Sequence, residues 1–467
     1  MTECTPAEIR TKAPGRRDFV ARFDGGDITT DGGVLLFQAV EEKRSILKRF
    51  AECFTDHRDP SRVEHTVTQL VSQRVLAIAL GYEDVNDHDR LRLDPLLASV
   101  VGKIDPKGSS RKRQADTGLA LASPATLHRL ELSHPGIAAD DRYNRIGLNQ
   151  EAVDHLLVDL FLEAYEEAPE EIVIDLDATD DRVHGNQVGR FFHGYYDQYC
   201  FLPLYIFVDG HLLCARLRTA DRDGASGSIG ELDCIIKRIR SSWPDTRIIV
   251  RGDSGFCRDW LMSWCEDQIG VEFVLGLAKN DRLVSRIAKD LDEVHTLSVG
   301  SGKPVRRFKE LNYRTRSSWS QSRRVVAKVE HIPGRSNPRF VVTSLSSKSI
   351  DARELYEDLY CARGDMENRI KEQQLDLFAD RTSCHLFRAN QVRLYLSSLA
   401  YVMMSELRRI GLTGTELAQA QCGTIRTRLL KIGARVRVTA RNIWVSMSES
   451  YPLQDLLMQA WHRVAYG

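Results

Sequence analysis

Between residues 171 and 277 the sequence reads as three strands, a helix, a strand, a helix and a strand. That order demands a mixed sheet with helices packed on it. The segment Ile172-Val-Ile-Asp-Leu-Asp177 is the first strand, and Tyr199–Val208 and Leu212–Thr219 are the next two. The last two meet at Asp209-Gly210, a residue pair suited to the positive φ angles of a tight hairpin. Ser228-x-x-Glu231 has capping-box spacing and predicts an amphipathic helix running to about Trp243. Thr246–Val250 is the fourth strand and runs into Arg-Gly-Asp253-Ser-Gly-Phe. A helix over 258–268 and a strand over Val271–Leu277 complete the series.

Acidic residues punctuate this frame. Asp175 and Asp177 end the first strand, Asp253 follows the fourth, and Glu367 lies on a predicted helix. Three separated carboxylates on strand, strand and helix suit hard divalent cations and hence phosphodiester chemistry. Strand alternation does not separate Asp175 from Asp177, because both point to one face. On the helix, Tyr360, Arg363, Glu367 and Lys371 are spaced by three, four and four residues and share a stripe. Taken alone, that stripe fits a surface ion-pair ladder as well as a metal ligand whose cationic neighbours grip phosphate oxygens.

The flanking regions read differently. The first 145 residues are predicted to be mainly helical, with a helix over Glu64–Leu80 stopped by Gly81 and another opened by Ser123-Pro124. Asp84, Asp87 and Asp89 could imitate a metal site, but turn and capping roles are the commoner use of such residues. Lys103–Asp116 reads as a mobile loop, and Asn149–Tyr165 as a helix with a wet acidic face. Residues 283–347 carry β-rich stretches with turn residues at Gly300–Pro304 and Pro333–Pro338, and are read as an inserted β subdomain. Helical pattern resumes from Ser349 to Arg409, with Asp351 at its start. The expected division is 1–145, 170–282, 283–347, 348–412 and a basic C-terminal 413–467.

Composition narrows the function classes. The net charge of zero conceals segregation: residues 140–181 sum to −12, 303–339 to +9 and 404–441 to +6. Two basic blocks, the first with Tyr313 and Trp319 interleaved, fit either a polyanion contact or a solvated surface. No apolar run approaches the length of a bilayer span, and Tyr395–Met404 reads as a core helix. The first residues lack a signal-peptide pattern, and ten scattered cysteines without a C-x-x-C pair suggest buried thiols in a reducing cytoplasm. No phosphate-binding G-x-x-x-x-G-K-[ST] loop is present, so no nucleotide cofactor is expected.

The motifs DLDATDD (175–181), RGDSGF (251–256) and YCARGDMENRIKE (360–372) together resemble the three acidic motifs of DDE transposases from bacterial insertion sequences. The last is similar to the Tyr-x2-Arg-x3-Glu-x6-Lys signature of the cut-and-paste group, except that the final Lys falls on Gln374. DITTDGG (27–33), RVLAIALGYEDVNDHDRLRLDP (74–95) and LASPATLHRLE (121–131) resemble one branch of that group, transposase DDE domain group 1. The resemblance implies an α/β fold: a ribonuclease-H-like mixed-sheet core with an inserted β subdomain and a mainly helical N-terminal DNA-binding domain. It implies that Asp177, Asp253 and Glu367 are catalytic and hold two Mg²⁺ or Mn²⁺ ions, Asp177 being chosen over Asp175 for its Asp-Ala-Thr context. Tyr360 and Arg363 fall on phosphate-gripping positions, and Lys371 is a candidate to replace the missing Lys. Trp319 is a candidate for stacking on a flipped base, with Arg323 and Arg324 as DNA contacts from the same block. The implied partners are double-stranded DNA, as terminal inverted repeats and target, and a second copy of the chain in a synaptic complex. A ribonuclease-H-like nuclease or resolvase would use the same triad without needing the basic insertion. A non-catalytic DNA-binding descendant would show a damaged triad, and a purely structural protein would not place its acids on ordered elements.

Overall fold

A computed structural model describes residues 8–467 except Ala139, Arg142 and Pro333. Arg142, counted in the acidic block, Pro333, one of the predicted turn residues, and the opening segment 1–7 therefore lie outside the described residues. The chain forms two compact units: 1–149 with 376–378 and 399–467, and 150–375 with 379–398.

The second unit is built on one mixed sheet. Its first strand, Glu171–Ala178, pairs antiparallel with Leu204–Val208, which turns into His211–Arg216. The turn is the expected one, with Asp209 at φ 47° and Gly210 at φ 83°. On its other edge the first strand pairs parallel with Arg247–Gly252, which pairs parallel with Val271–Leu277. The sheet then continues antiparallel through Arg339–Thr343, Arg323–Ile332 and Val305–Tyr313.

Three sequence readings need correction here. The expected strand Tyr199–Val208 breaks at Leu202-Pro203; its first part, Gln198–Phe201, joins a separate small sheet with Asp181–Arg182 and Phe191–His193. Pro203 has no N–H to donate to a ladder. Ser228 is not an N-cap: Gly227 holds that place at φ 81°, Ser228 Oγ donates to Ala225 O, and Glu231 accepts from Arg216. The region 283–347 is not a β subdomain apart, since it opens with helices Asp281–Arg286 and Ala288–Ser301 and its long strands extend the central sheet. Val325, Ala327, Val329 and Val342 share the core of Ile174, Ile248 and Phe273, so burial makes one layer of them.

Period-two alternation divides the sheet's two faces. Ile172, Ile174 and Leu176 face the large core, packed by the helices Gln150–Leu162, Ser228–Ser242 and Asp259–Asp267. The opposite face carries Val173, Asp175 and Asp177, and there Ile249, Val274 and Val341 meet Leu355, Tyr356 and Tyr360. The helical segment 352–371 is thereby held on the acid-bearing side.

The first unit also departs from the expected division. Asp27–Thr29 pairs with Ala434–Val438, and a Cβ at Gly33 would overlap the carbonyl oxygen of Leu429, so residues 413–467 belong with the N-terminal helices. Its helix Val67–Ala79 opens on a Thr66/Gln69 capping box, and Gly81 follows at φ 93° as read from the sequence. Asp84 and Asp87 form a capping box rather than a metal site. The Lys103–Asp116 loop is pinned: Lys103 Nζ donates to Glu64 O and Arg111 pairs with Glu64 at 3.1 Å. The three N-terminal motifs interlock, through Thr29 donating to Asp94 at 2.6 Å, Tyr82 donating to Asp31 at 2.7 Å and Arg74–Glu131 at 3.0 Å. No helix among the described residues is long and apolar enough to cross a membrane. Among the described cysteines none is disulfide-bonded; Cys53, Cys200, Cys214, Cys265 and Cys422 are buried, but Cys234 and Cys361 are exposed.

One buried acid reports on the sheet's far edge. Burial acts to raise Glu330, but hydrogen bonds from Lys328, Arg306 and Asn337 outweigh it and bring its pKa down to about 2. A depressed carboxyl stabilises the fold above its unfolded pKa and loses that contribution as pH falls through the folded value. Glu330→Gln should therefore cost about 1–3 kcal/mol at pH 7 and almost nothing near pH 2, read from denaturant melts at the two pH values.

Candidate active site

The parallel pairing of Glu171–Ala178 with Arg247–Gly252 fixes two of the acids. Its last register pair is Leu176 with Gly252. One residue further along, Asp177 and Asp253 leave adjacent strands at the same edge of the sheet. Asp253 is held by a tight turn in which its Oδ1 accepts the Gly255 N–H at 2.8 Å. A Cβ at Gly255 would stand 2.9 Å from that oxygen, which is why the motif carries glycine there.

The structure separates the two aspartates that alternation could not. Asp175 is buried and takes a two-pronged ion pair from Arg251, at 2.5 and 2.7 Å, while Arg251 also donates to Leu359 O. Its oxygens are committed to a guanidinium, a structural use. Asp177 faces Arg363, Asp253 and Glu367; burial above all, with the two neighbouring carboxylates, pushes its pKa up to about 6 against the opposing pull of Arg363.

Arg363 links strand to helix. It lies 3.7 Å from Asp177 Oδ1 and pairs with Glu367 on the helix Gly364–Lys371. Tyr360 ends a π-helical stretch, Leu355–Tyr360, a local widening of the helix common at functional sites. Its hydroxyl sits over Gly276: a Cβ there would meet Tyr360 Oη at 2.5 Å and Ser254 N at 2.9 Å. Gly276 thus lets the tyrosine approach the Asp253 turn. Asp177, Asp253, Glu367, Tyr360 and Arg363 are brought together; Lys371, one turn on, is exposed and no described contact ties it to them.

Other expected residues are placed elsewhere. Trp319 is 4% exposed, packed edge-on against Tyr313 with the Arg323 guanidinium over its ring. Arg323 is consumed by Asp259 and Glu266 at 2.7 Å each, and Arg324 by Glu310 at 2.6 Å with Leu345 O and Ile350 O. In the structure these three pack and pair with groups from other elements. Gln374, at the signature's missing Lys, donates to Asp181 Oδ1 at 3.0 Å and Asp180 O at 3.2 Å. Asp181 is buried, which raises its pKa well above the ordinary carboxylate range, so an uncharged amide suits it where a cation would ionise it.

Two contributors escaped the sequence reading. Arg251 stands inside the RGDSGF motif, yet its role needs the register to be seen. Tyr196 donates to Ala178 O at 3.3 Å, and its hydroxyl feels Asp180, Asp177 and Asp253. The aromatic run around it, FFHGYYDQY, was its only signal.

The donor set suits a hard divalent cation: carboxylate oxygens in excess, with a guanidinium as the internal cation between Asp177 and Glu367. As they stand, no group of three or more His, Cys, Asp or Glu among the described residues is gathered closely enough to hold one ion.

A mixed sheet whose parallel pair ends in two carboxylates, facing a helix with a third, defines a class of α/β proteins equipped for phosphate chemistry. The family described as transposase DDE domain group 1 matches residues 12–466, and the chain belongs to it. No curated protein sequence matches it. Among solved structures, it is similar to a piggyBac transposase in a synaptic complex with hairpin DNA. The identity is 10% and the TM-score 0.40, over 86% of this chain and 79% of that one.

The two aspartates should respond differently to amidation. Asp175→Asn leaves the Arg251 charge buried without its partner and should cost about 3–5 kcal/mol of stability. Asp177→Asn, which relieves a crowded carboxylate, should cost less than about 1 kcal/mol. Urea melts of the two variants check both.

Proposed function

We propose that this chain is a DNA transposase of insertion-sequence type. In this reading it cleaves and rejoins DNA at the ends of a mobile element through Asp177, Asp253 and Glu367. The observation that carries the reading is the meeting of Asp177 and Asp253 on neighbouring strand ends with Glu367 joined to Asp177 through Arg363. The order of strands and helices from 171 to 277, that of a ribonuclease-H-like core, and the family's acidic motifs support it.

The three carboxylates would hold two Mg²⁺ or Mn²⁺ ions, which when bound lower the pKa of a water and stabilise a leaving 3′-oxygen. Everything else falls to the chain's own groups. Arg363 neutralises Asp177 and Glu367 in the free protein; a DNA phosphate offers its guanidinium a competing partner of the same bidentate kind. Turning to that phosphate, Arg363 frees both carboxylates at the moment DNA arrives. Tyr360, seated over Gly276, is placed to donate its hydroxyl to the same backbone beside Asp253. Hydrolysis breaks the bond between phosphorus and the 3′-oxygen, leaving a 5′-phosphate and a free 3′-hydroxyl. That hydroxyl then attacks a phosphodiester of the opposite strand or of target DNA, so each joining step exchanges one phosphodiester for another and needs no nucleotide. Bringing two element ends together calls for at least two copies of the chain.

Asp253→Asn and Glu367→Gln should each reduce divalent-dependent nicking of end DNA by about a thousandfold or more, while DNA affinity stays within a few-fold. Strand mapping on labelled duplexes measures the first and anisotropy in EDTA the second. Nicking near the parent rate by either variant would remove the carboxylate assignment. Lys371→Ala should slow joining more than cleavage if Lys371 supplies the phosphate contact that Gln374 cannot; equal wild-type rates for both steps would rule that out.

A further inference from the structure

The first unit contains a cleft of about 680 Å³ whose wall carries seven arginines against Asp59, Glu64 and Asp116. We infer that this cleft is a docking site for the sugar-phosphate backbone of DNA, gripping one strand's phosphates without reading bases; the inference rests on the DNA-processing reading above.

Its charge is only partly spent internally. Arg92 pairs with Asp116 at 2.9 Å, Arg111 with Glu64 at 3.1 Å, and Arg62 with Asp59 at 3.4 Å, which accounts for every acid in the wall. Arg58 is held by Asp56, and Arg145 donates to Asp141 O at 3.1 Å. Arg113 and Arg129 are exposed and make no hydrogen bond or ion pair among the described residues. With Asp56 counted beside the three acids of the wall, four acids stand against seven guanidiniums and leave an excess of three positive charges. Guanidinium forks match phosphate oxygens, and an excess of them across one cleft fits a run of phosphodiesters better than a single anion.

His65 in the same wall adds an independent observation. Arg111 can only donate, so the 2.8 Å contact between them makes His65 Nε2 the acceptor and leaves the proton on Nδ1. That N–H is buried and has no acceptor among the described residues. The cationic surroundings keep the ring neutral in this tautomer, as its depressed pKa, driven first by burial, agrees. Ser123 and Thr126, also in the wall, mark the N-terminal turn of the helix Pro124–Glu131, where the backbone dipole favours anions. Only Val63 and Ala125 are apolar in the lining, no Phe, Tyr or Trp is present and the His65 ring is buried, so no open ring there would stack on a base.

The test uses the full chain, two unrelated duplexes and fluorescence anisotropy in EDTA over a salt series. Arg113→Ala/Arg129→Ala, at exposed positions whose loss should leave the melting temperature unchanged, is expected to weaken both duplexes equally, by about tenfold at low salt. The slope of log affinity against log salt should fall by about two. Unchanged affinity and slope would overturn the proposal, as would a loss confined to one duplex, which would mean base reading. Competition by inorganic phosphate beyond that of chloride at equal ionic strength would overturn it in favour of a discrete anion site. Cleavage assays on the parent protein separate the two levels: a chain that binds through the arginines but never nicks DNA fails the transposase reading alone.

Discussion

The parallel pairing of Glu171–Ala178 with Arg247–Gly252 is the constraint on which the rest of the site depends. Its register sets Asp175 opposite Arg251, and their buried ion pair locks the strands in step. A slip of one residue would turn every alternating side chain to the other face and bury the wrong acids. With the register fixed, Asp177 and Asp253 have to emerge together. Arg251 further donates to Leu359 O, so the same guanidinium ties the strand pair to the helical segment that carries Tyr360, Arg363 and Glu367.

The carboxylate group is in this sense spring-loaded by charge. Burial and two like-charged neighbours raise Asp177, and Arg363, helped by a hydrogen bond from the Ala178 backbone, opposes them. An arrangement with this much unneutralised acid is costly unless cations join it, whether from the chain or from outside. The π-helical turn before Tyr360 and the bare backbone of Gly276 let the helix come close enough for that exchange.

Much of this was legible in the sequence, because period-two and helical patterns survive in isolation and the acids sit at their ends. The strand Val271–Leu277, the Asp209-Gly210 turn and the Ser123 helix start all follow from local chemistry. What escaped were relations between distant segments. Several cations of the basic block over 303–339 find partners outside it: Arg306 pairs with Glu357, Arg307 with Glu293, Lys309 with Asp290 and Arg323 with Asp259 and Glu266. In the C-terminal block Lys431 pairs with Asp31 and Arg428 with Glu416. Conversely, the arginines of the N-terminal cleft are scattered from 58 to 145 and never formed a run. Asp175 and Asp177 stayed equivalent until the pairing partner Arg251 was seen.

The composition of the first unit bears on the order in which a ribosome delivers the working parts. Asp27–Thr29 finds its ladder partner only at Ala434–Val438, and Asp31 its cation only at Lys431. The second unit, 150–375 with 379–398, is synthesised while the first still waits for its closing hairpin and helix. During synthesis the strands that carry Asp177 and Asp253 are therefore made well before the first unit receives its closing hairpin and helix.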